Sequence, residues 1–362
     1  MSVLYGKRCP RYESHEATAF YEVNHLWNSI LEPGAHPPVD LLPFLKYIPE
    51  KWATWKQLAR SIRRKQRDLY FGLVAETEKR MKMGEENGSY MEQVLSRQEE
   101  LRLDREMIGY LGGTLLEGGS ETSASLLHSL VLFLVASPES QRKAQEEIDR
   151  VVGRERLPGL EDSDELPYIQ ALIKETHRIR PVAPLQVPHA TTTNEKFRGF
   201  VIPGGTTIFV NTYGIYHDPD TFEDPELFYP DRYLKTEFGT KLGVDENYWR
   251  STLPFGSGRR ICPGIHLANN ALMLNTMNLV WAFDFRPAKD SNGKDIPPDL
   301  NNYEKGLLPG PRPFNCIITP RHPKVAEIVI REFREAIDTF VKFEKNLAPE
   351  DQRFVTEQRE GF

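Results

Sequence analysis

Helical spacing of apolar residues dominates the chain, and stretches that read as strands are confined to its middle and its far end. Met1 to Ser29 predicts mixed helix and turn, with Phe20, Tyr21 and Trp27 set among charges. Breakers from Glu32 to Pro38 mark a loop, and Leu41 to Ile48 is a short apolar segment. Lys51 to Met83 predicts a long basic helix in which Leu58, Ile62, Leu69 and Leu73 stand beside Arg60, Arg63, Arg64, Lys65 and Arg67. After a loop at Gly84 to Ser89, Asp104 is placed to cap a helix that runs to Ser137. Ser137-Pro138-Glu139 opens another as far as Gly153, and Pro167 to Arg180 is stopped by Pro181. Gln186 to Thr193 and Phe197 to Asn211 predict strands, with Pro203-Gly204-Gly205 as a turn. A helix through Leu267, Ala271, Leu274 and Met277 to Phe283 has the period of a buried core helix. Gly306 to Pro309 is a turn, Phe314 to Thr319 a strand, and Val325 to Phe343 an amphipathic helix in a charged tail. The fold class is mainly α with a smaller β-sheet region.

Composition excludes several alternatives. Hydrophobic residues make up 39% and charged residues 27% of 362, which rules out fibrous, repetitive and disordered chains. A net charge of -6 leaves no nucleic-acid footprint on the chain as a whole. Cys9, Cys262 and Cys316 are too few and too scattered for a disulfide framework, so a reducing compartment fits. The most apolar run, Ala124 to Ala136, falls short of the roughly 20 residues that span a bilayer and reads as a core helix. Met1 to Pro10 shows no apolar segment of a signal peptide or anchor. The aromatics of Leu41 to Ile48, with Trp52 and Trp55, have two readings: a loop packed on its own domain, or a contact with a membrane interface.

Three sites carry candidate chemistry. Phe255 to Gly264 sets Cys262 in a glycine-rich loop, followed by Pro263 at what reads as the first position of a helix. Unpaired amides at that helix end favour a thiolate, the species that ligates metal, and Arg260 adds positive charge. Alone, a single cysteine is more often buried and inert. Gly118-Gly119-Ser120-Glu121-Thr122-Ser123 lies within that helix, whose interior glycines weaken it as if it were thinned beside something; a plain helix contact through glycine is the bland alternative. Glu175 and Arg178 lie three apart on one helix face, a spacing that usually gives a surface ion pair of little value.

Phe255, Gly258, Arg260, Cys262 and Gly264 match without departure the haem-binding signature Phe-x-x-Gly-x-Arg-x-Cys-x-Gly, and the chain is thereby similar to cytochrome P450 monooxygenases. Gly118 to Ser123 resembles that family's oxygen-activation motif, and Glu175-Thr176-His177-Arg178 its Glu-x-x-Arg pair. Arg232 matches the third partner, although Asp231 and Tyr233 depart from the usual Pro-Glu-Arg-Phe. The resemblance implies a P450 fold, in a single domain over residues 1–362 with 320–362 a charged helical tail. It implies haem b (iron protoporphyrin IX) with Cys262 as axial ligand and with Arg260 and His189 against the propionates. Thr122, assisted by Glu121, would relay protons to dioxygen. Glu175, Arg178 and Arg232 would form a buried ion-pair group that locks the cysteine loop. Leu111, Thr114, Leu115, Gly118, Val182, Ala183, Pro184, Leu185 and Leu307 would line a substrate pocket.

The implied activity is insertion of one oxygen atom of O2 into a hydrophobic small molecule, of fungal secondary-metabolism type. No Gly-x-Gly-x-x-Gly lies between a strand and a helix, so electrons would come from a separate NADPH-dependent flavoprotein reductase. Arg250, Arg259, Arg260 and Lys174 would offer it a basic face. Two alternatives stand beside this reading: a non-catalytic remnant that keeps the motifs, and a haem-thiolate isomerase or dehydratase. The resemblance starts at about Ser2 to Arg8 and lacks the family's N-terminal anchor, early sheet and Trp-x-x-x-Arg helix, so a truncated product is expected that binds haem weakly when expressed alone. A full-length form would sit on the cytoplasmic face of the endoplasmic reticulum; the chain as given would be cytoplasmic or peripheral.

Overall fold

The computed structural model describes residues 1–32, 34–39, 42–244 and 249–361. Pro33 and Leu41, which the sequence puts in a loop and in an apolar segment, lie outside the described residues. The helices before the sheets are α1 (Ser2–Tyr5), α2 (His15–Leu31), α3 (Thr54–Lys82), α4 (Tyr90–Ser96), α5 (Arg105–Ala136), α6 (Pro138–Val151) and α7 (Pro167–Ile179). Strands β1 (His189–Ala190), β2 (Glu195–Phe197), β3 (Phe200–Ile202) and β4 (Thr207–Ile208) come next, then α8 (Thr212–Tyr216), α9 (Arg232–Lys235) and α10 (Trp249–Thr252). The chain continues through α11 (Ile265–Ala282), β5 (Phe283–Lys289), β6 (Asp295–Ile296), β7 (Cys316–Pro320), α12 (Lys324–Val341) and α13 (Pro349–Glu360). Two compact units divide it, Met1–Ser120 with Val329–Phe362, and Glu121–Ile328.

In the first unit Leu69, Tyr70, Leu73 and Val74 of α3 meet Tyr5, Phe20, Met91, Val94, Leu95, Ile108 and Leu116 in one core. Each such apolar side chain contributes about 1.5–3 kcal/mol by burial. Asp104 caps α5 as its sequence predicts, its Oδ1 accepting the Met107 amide at 2.8 Å. Gly112 and Gly113 let the aromatics approach: a methyl built there would stand 2.4 Å from the Tyr5 hydroxyl and 2.2 Å from the Tyr70 ring. The basic face of α3 is solvated, and its charges pair with acids, Lys65 with Glu22 at 2.8 Å and Arg60 with Glu50. The C-terminal tail returns to the start of the chain. Arg8 pairs with Glu344 and lies 4.6 Å from the Phe340 ring centre, while Arg11 meets the buried Asp351 at 2.6 Å.

The packed-loop reading of the Leu41 to Ile48 region is corrected: Phe44, Tyr47 and Trp52 are 64%, 87% and 68% exposed. Two single turns, Pro43–Tyr47 and Glu50–Trp52, are held by their backbone, with Lys56 Nζ donating to the carbonyls of Lys46 and Ile48 at 2.6 and 2.7 Å.

The second unit packs the end of α5 (Leu130, Phe133, Leu134, Val135) against Ala144 and Ile148 of α6, Ile169 and Leu172 of α7, and Met273, Met277, Val280 and Trp281 of α11. Leu126 and Leu132 are also buried, so the apolar run is a core helix here. It belongs to a longer unbroken helix: by length and composition α5 is long and apolar enough to cross a membrane, because its glycines do not interrupt it. Gln141 anchors the sheet, accepting the Phe285 amide at 2.7 Å and donating to the Phe285 carbonyl at 2.9 Å. Antiparallel β5 is flanked by β6 and β7.

The strands and the inner face of α11 depart from expectation in this unit. The strands are much shorter than predicted. Phe197 to Asn211 is broken by a turn at Arg198 and Gly199, both at positive φ, which folds β2 onto β3, while β4 pairs with β1. In α11 the buried face is Leu272, Met273, Thr276, Met277, Val280 and Trp281, whereas Leu267 and Leu274, predicted inside, are 67% and 36% exposed. The helix is apolar almost all round, so spacing alone does not choose its inner face.

Candidate functional site

Glu175 and Arg178 stand one turn apart on α7, and neither side chain reaches solvent. Arg178 grips Glu175 with two parallel bonds of 2.8 and 2.9 Å. Its remaining donors go to the carbonyls of Tyr216, Pro225 and Leu227 at 2.9, 2.7 and 3.1 Å. Arg232 of α9 reaches the same carboxylate at 3.1 Å and donates to the Glu223 carbonyl at 2.8 Å. The Tyr229 amide also donates to Glu175, at 2.8 Å. Two guanidinium groups around one carboxylate leave a buried positive excess, which the peptide carbonyls of the segment from Tyr216 to Leu227 offset.

The cysteine loop is closed by the Cys262 amide, which donates to the Phe255 carbonyl at 2.9 Å. Gly256 and Gly258 take φ of 82° and 65°, in the left-handed region that glycine enters without strain. Pro263 is not the first helical residue. It occupies a turn whose Cys262 carbonyl accepts the Ile265 amide at 3.4 Å, and α11 starts after Gly264. Proline suits the second position of such a turn, so the local geometry is a β-turn leading into the helix. The Cys262 thiol is half-buried and free. A methyl built on Gly264 would lie 3.8 Å from Sγ.

One ring contact joins α7 to this loop: His177, between Glu175 and Arg178, meets the Phe255 ring edge-on at 5.6 Å. Burial lowers the His177 pKa to about 4, so its imidazole is neutral. Gln186 braces the loop from the other direction, donating to the Leu253 carbonyl at 2.8 Å and to Thr212 Oγ1 at 3.1 Å. Sequence reasoning missed Gln186 as a brace. Its φ of 52° is unusual for a residue other than glycine, and nothing in its neighbours signals it.

The other candidates are more dispersed. Arg260 and His189 are exposed; His189 is held in β1 opposite Ile208 of β4. Leu185, Val187 and Ile208, in the same unit, are 46%, 61% and 38% exposed. Glu121 and Thr122 are half-buried on α5. One turn further along, Ser125 Oγ donates to the Pro309 carbonyl at 3.1 Å, which sets the turn carrying Leu307 beside α5. Val182 and Ala183 are half-buried after α7. Leu111, Thr114, Leu115 and Gly118 fall in the first unit, on the preceding turns of α5. There Glu117 is engaged by Tyr70 and by Gln66 at 2.9 Å. Methyl groups built on Gly118 and Gly119 would meet nothing within 4 Å, unlike those on Gly112 and Gly113. Among the described residues no group of three or more His, Cys, Asp or Glu is arranged to hold a metal ion.

The family model for cytochrome P450 matches residues 1–315. A cytochrome P450 monooxygenase of Armillaria gallica is 42% identical over 95% of this chain and 66% of its own length. Cytochrome P450 monooxygenase yanC of Aspergillus niger is 37% identical over 93% of this chain and 65% of the relative. Cytochrome P450 monooxygenase patH of Penicillium expansum is 37% identical over 94% and 65%. The chain thus spans just under two thirds of the length of these curated relatives. Among solved structures, a zebra fish cytochrome P450 with abiraterone superposes with a TM-score of 0.69 at 25% identity, over 89% of this chain and 69% of that one.

Proposed function

From the premise that the chain belongs to the cytochrome P450 family, we propose that it is, or is the larger part of, a haem-thiolate monooxygenase acting on a hydrophobic small molecule. In this reading residues 1–362 belong to one such domain, with 320–362 its helical tail. The observation that carries the proposal is the free, half-buried Cys262 thiol on a loop closed by the Phe255 carbonyl. With no ligand cluster among the described residues, a metal at this thiol would bring its other ligands with it, as the iron of a macrocycle does. The exposed apolar side chains of Leu185, Val187 and Ile208, with exposed Arg260 and His189, suit a flat apolar group with acidic edges. These features support the fit of haem b.

When bound, haem b supplies thiolate-ligated iron that favours O–O bond cleavage. The chain's own residues do the rest. Cys262 Sγ would hold the iron, while Arg260 and His189 would neutralise the propionates. Phe255, Gly258 and Gly264 shape the loop around the thiol. Thr122 Oγ1 holds a proton for oxygen chemistry and Glu121 resupplies it. Within the second unit, Val182, Ala183, Leu185 and Leu307 exclude water and hold the substrate. Electrons come from an NADPH-dependent reductase docking on the basic residues Arg250, Arg259, Arg260 and Lys174. The exposed Phe44, Tyr47 and Trp52 suit a peripheral membrane contact at the endoplasmic reticulum. The fungal relatives support a role in secondary metabolism.

The test is a ferrous carbon monoxide difference spectrum of the chain supplied with excess haem. A red-shifted Soret band that Cys262→Ser abolishes is expected, because a neutral hydroxyl cannot supply thiolate donation. A band unchanged by Cys262→Ser would remove Cys262 from the ligand role.

A further inference from the structure

Gln186 lies three residues before His189, on the segment that leads into β1, and its side chain reaches back to the cysteine loop. Its neighbours Leu185 and Val187 are exposed while Gln186 is half-buried, so the chain turns this one polar side chain inward. The carboxamide is oriented by its partners: Nε2 donates to the Leu253 carbonyl at 2.8 Å and to Thr212 Oγ1 at 3.1 Å. Leu253 and Thr212 are both buried, so packing fixes these acceptors.

Leu253 opens a single turn, Leu253–Phe255, and the Phe255 carbonyl at its end accepts the Cys262 amide. Gln186 therefore holds the turn on which the loop closes. A methyl built on Gly256, the next residue, would lie 3.7 Å from Gln186 Oε1, so the carboxamide also rests against the start of the glycine-rich stretch. The other end of the brace is tied down as well. The backbone amide of Gln186 donates to the Ala183 carbonyl at 3.2 Å, and that of Tyr213 to the Pro184 carbonyl at 3.1 Å. Holding this arrangement strains the backbone: the Gln186 φ of 52° is one that glycine adopts freely and glutamine does not. Strain of this kind persists where the surrounding contacts fix it, and a glycine here would lack the two bonds from Nε2.

We propose that Gln186 is a positioning residue for Cys262. Acting through Leu253 and Phe255, it fixes the cysteine loop against the segment that bears His189, and so sets how far the thiol is exposed and where it is presented. A thiol on a loosened loop is open to reagents from more directions and stays in one place for less of the time. The effect on exposure stands on the chain alone, and the effect on metal ligation rests on the haem-thiolate reading.

Two variants of the 362-residue chain test this. Gln186→Met keeps the length of the side chain and loses both bonds. Gln186→Gly loses them too but relieves the positive φ, which keeps the test open if Gln186→Met does not fold. Iodoacetamide labelling of the haem-free chain, quantified peptide by peptide by mass spectrometry, reads Cys262 against Cys316, a second free cysteine of the same unit. Loss of the two hydrogen bonds should speed the labelling of Cys262 roughly tenfold, while Cys316 reacts at the rate of the unaltered chain. An unchanged Cys262 rate would overturn the proposal, and so would equal acceleration at both cysteines, which marks general loosening of the unit. Loaded with haem, the variants should show a smaller red-shifted ferrous carbon monoxide band than the unaltered chain, and a band of full size would count against the positioning role. Absence of that band from the unaltered chain would sink the haem reading alone, because the labelling ratio does not depend on iron.

Discussion

The Glu175 group and the Cys262 loop belong to one unit and are each arranged around charge, but they are finished to different degrees. All five N–H groups of Arg178 have acceptors, and its side chain is fully enclosed. Arg260, by contrast, is exposed, and the Cys262 thiol is half-buried with no disulfide. A group whose donors are all used internally can only hold the protein together. A group left open at the surface is solvated and adds little to the stability of the fold. Both motifs carry charge at a short spacing, and burial distinguishes the enclosed pair from the open loop where spacing does not.

That contrast is broken most directly by removing one charge from each region. Glu175→Ala strands two guanidinium groups in the interior and should destabilise the second unit by about 3–5 kcal/mol. Arg260→Ala should cost less than about 0.5 kcal/mol, as exposed substitutions do. Chemical denaturation followed by the fluorescence of the fully buried Trp281 measures both. Similar losses in the two variants would mean that the loop is as much a scaffold as the buried group.

A smaller effect sharpens the comparison through His177, which bridges the two regions. Its folded pKa of about 4 lies below the ordinary value of 6.5. The unfolded chain therefore takes up a proton on this ring between those values while the folded chain does not. Its contribution to stability is intact above pH 6.5, falls as pH drops through the window, and levels off below about 4. The total is about 3 kcal/mol. His177→Phe should flatten the stability profile of the second unit between pH 6.5 and 4, and an unchanged profile would show that the imidazole is solvated.

Much of this was legible beforehand for a physical reason. Helix ends marked by Asp104 and Pro138 depend on local chemistry, and they lie where those residues put them. The spacing of Glu175 and Arg178 put them on one helix face, but whether that face is inside depends on what packs there, and only the family resemblance supplied that. The inner face of α11, the turn at Arg198 and Gly199, and the brace from Gln186 were not legible. Each is set by tertiary neighbours or by a positive φ that a non-glycine residue does not announce. The two glycine pairs of α5 show the same limit: identical in sequence, they face an aromatic core in one case and open space in the other.

Those pairs give the smallest and most discriminating test. A methyl on Gly113 would stand 2.2 Å from the Tyr70 ring, so Gly113→Ala should cost about 1–3 kcal/mol through overpacking. Gly118→Ala meets no atom within 4 Å, so the helix gains the ordinary advantage of alanine, about 1 kcal/mol, and the haem-free chain should melt higher. If the open space beside Gly118 is where substrate and dioxygen are received, that gain has a functional cost. The methyl then narrows the space, and Gly118→Ala should weaken the substrate-induced change in the haem spectrum even as it stabilises the fold. Thermal melts of the haem-free chain and substrate titrations of the haem-loaded one separate the two effects. A variant that is stabilised and binds substrate unchanged would leave Gly118 as a helix residue with no part in the pocket.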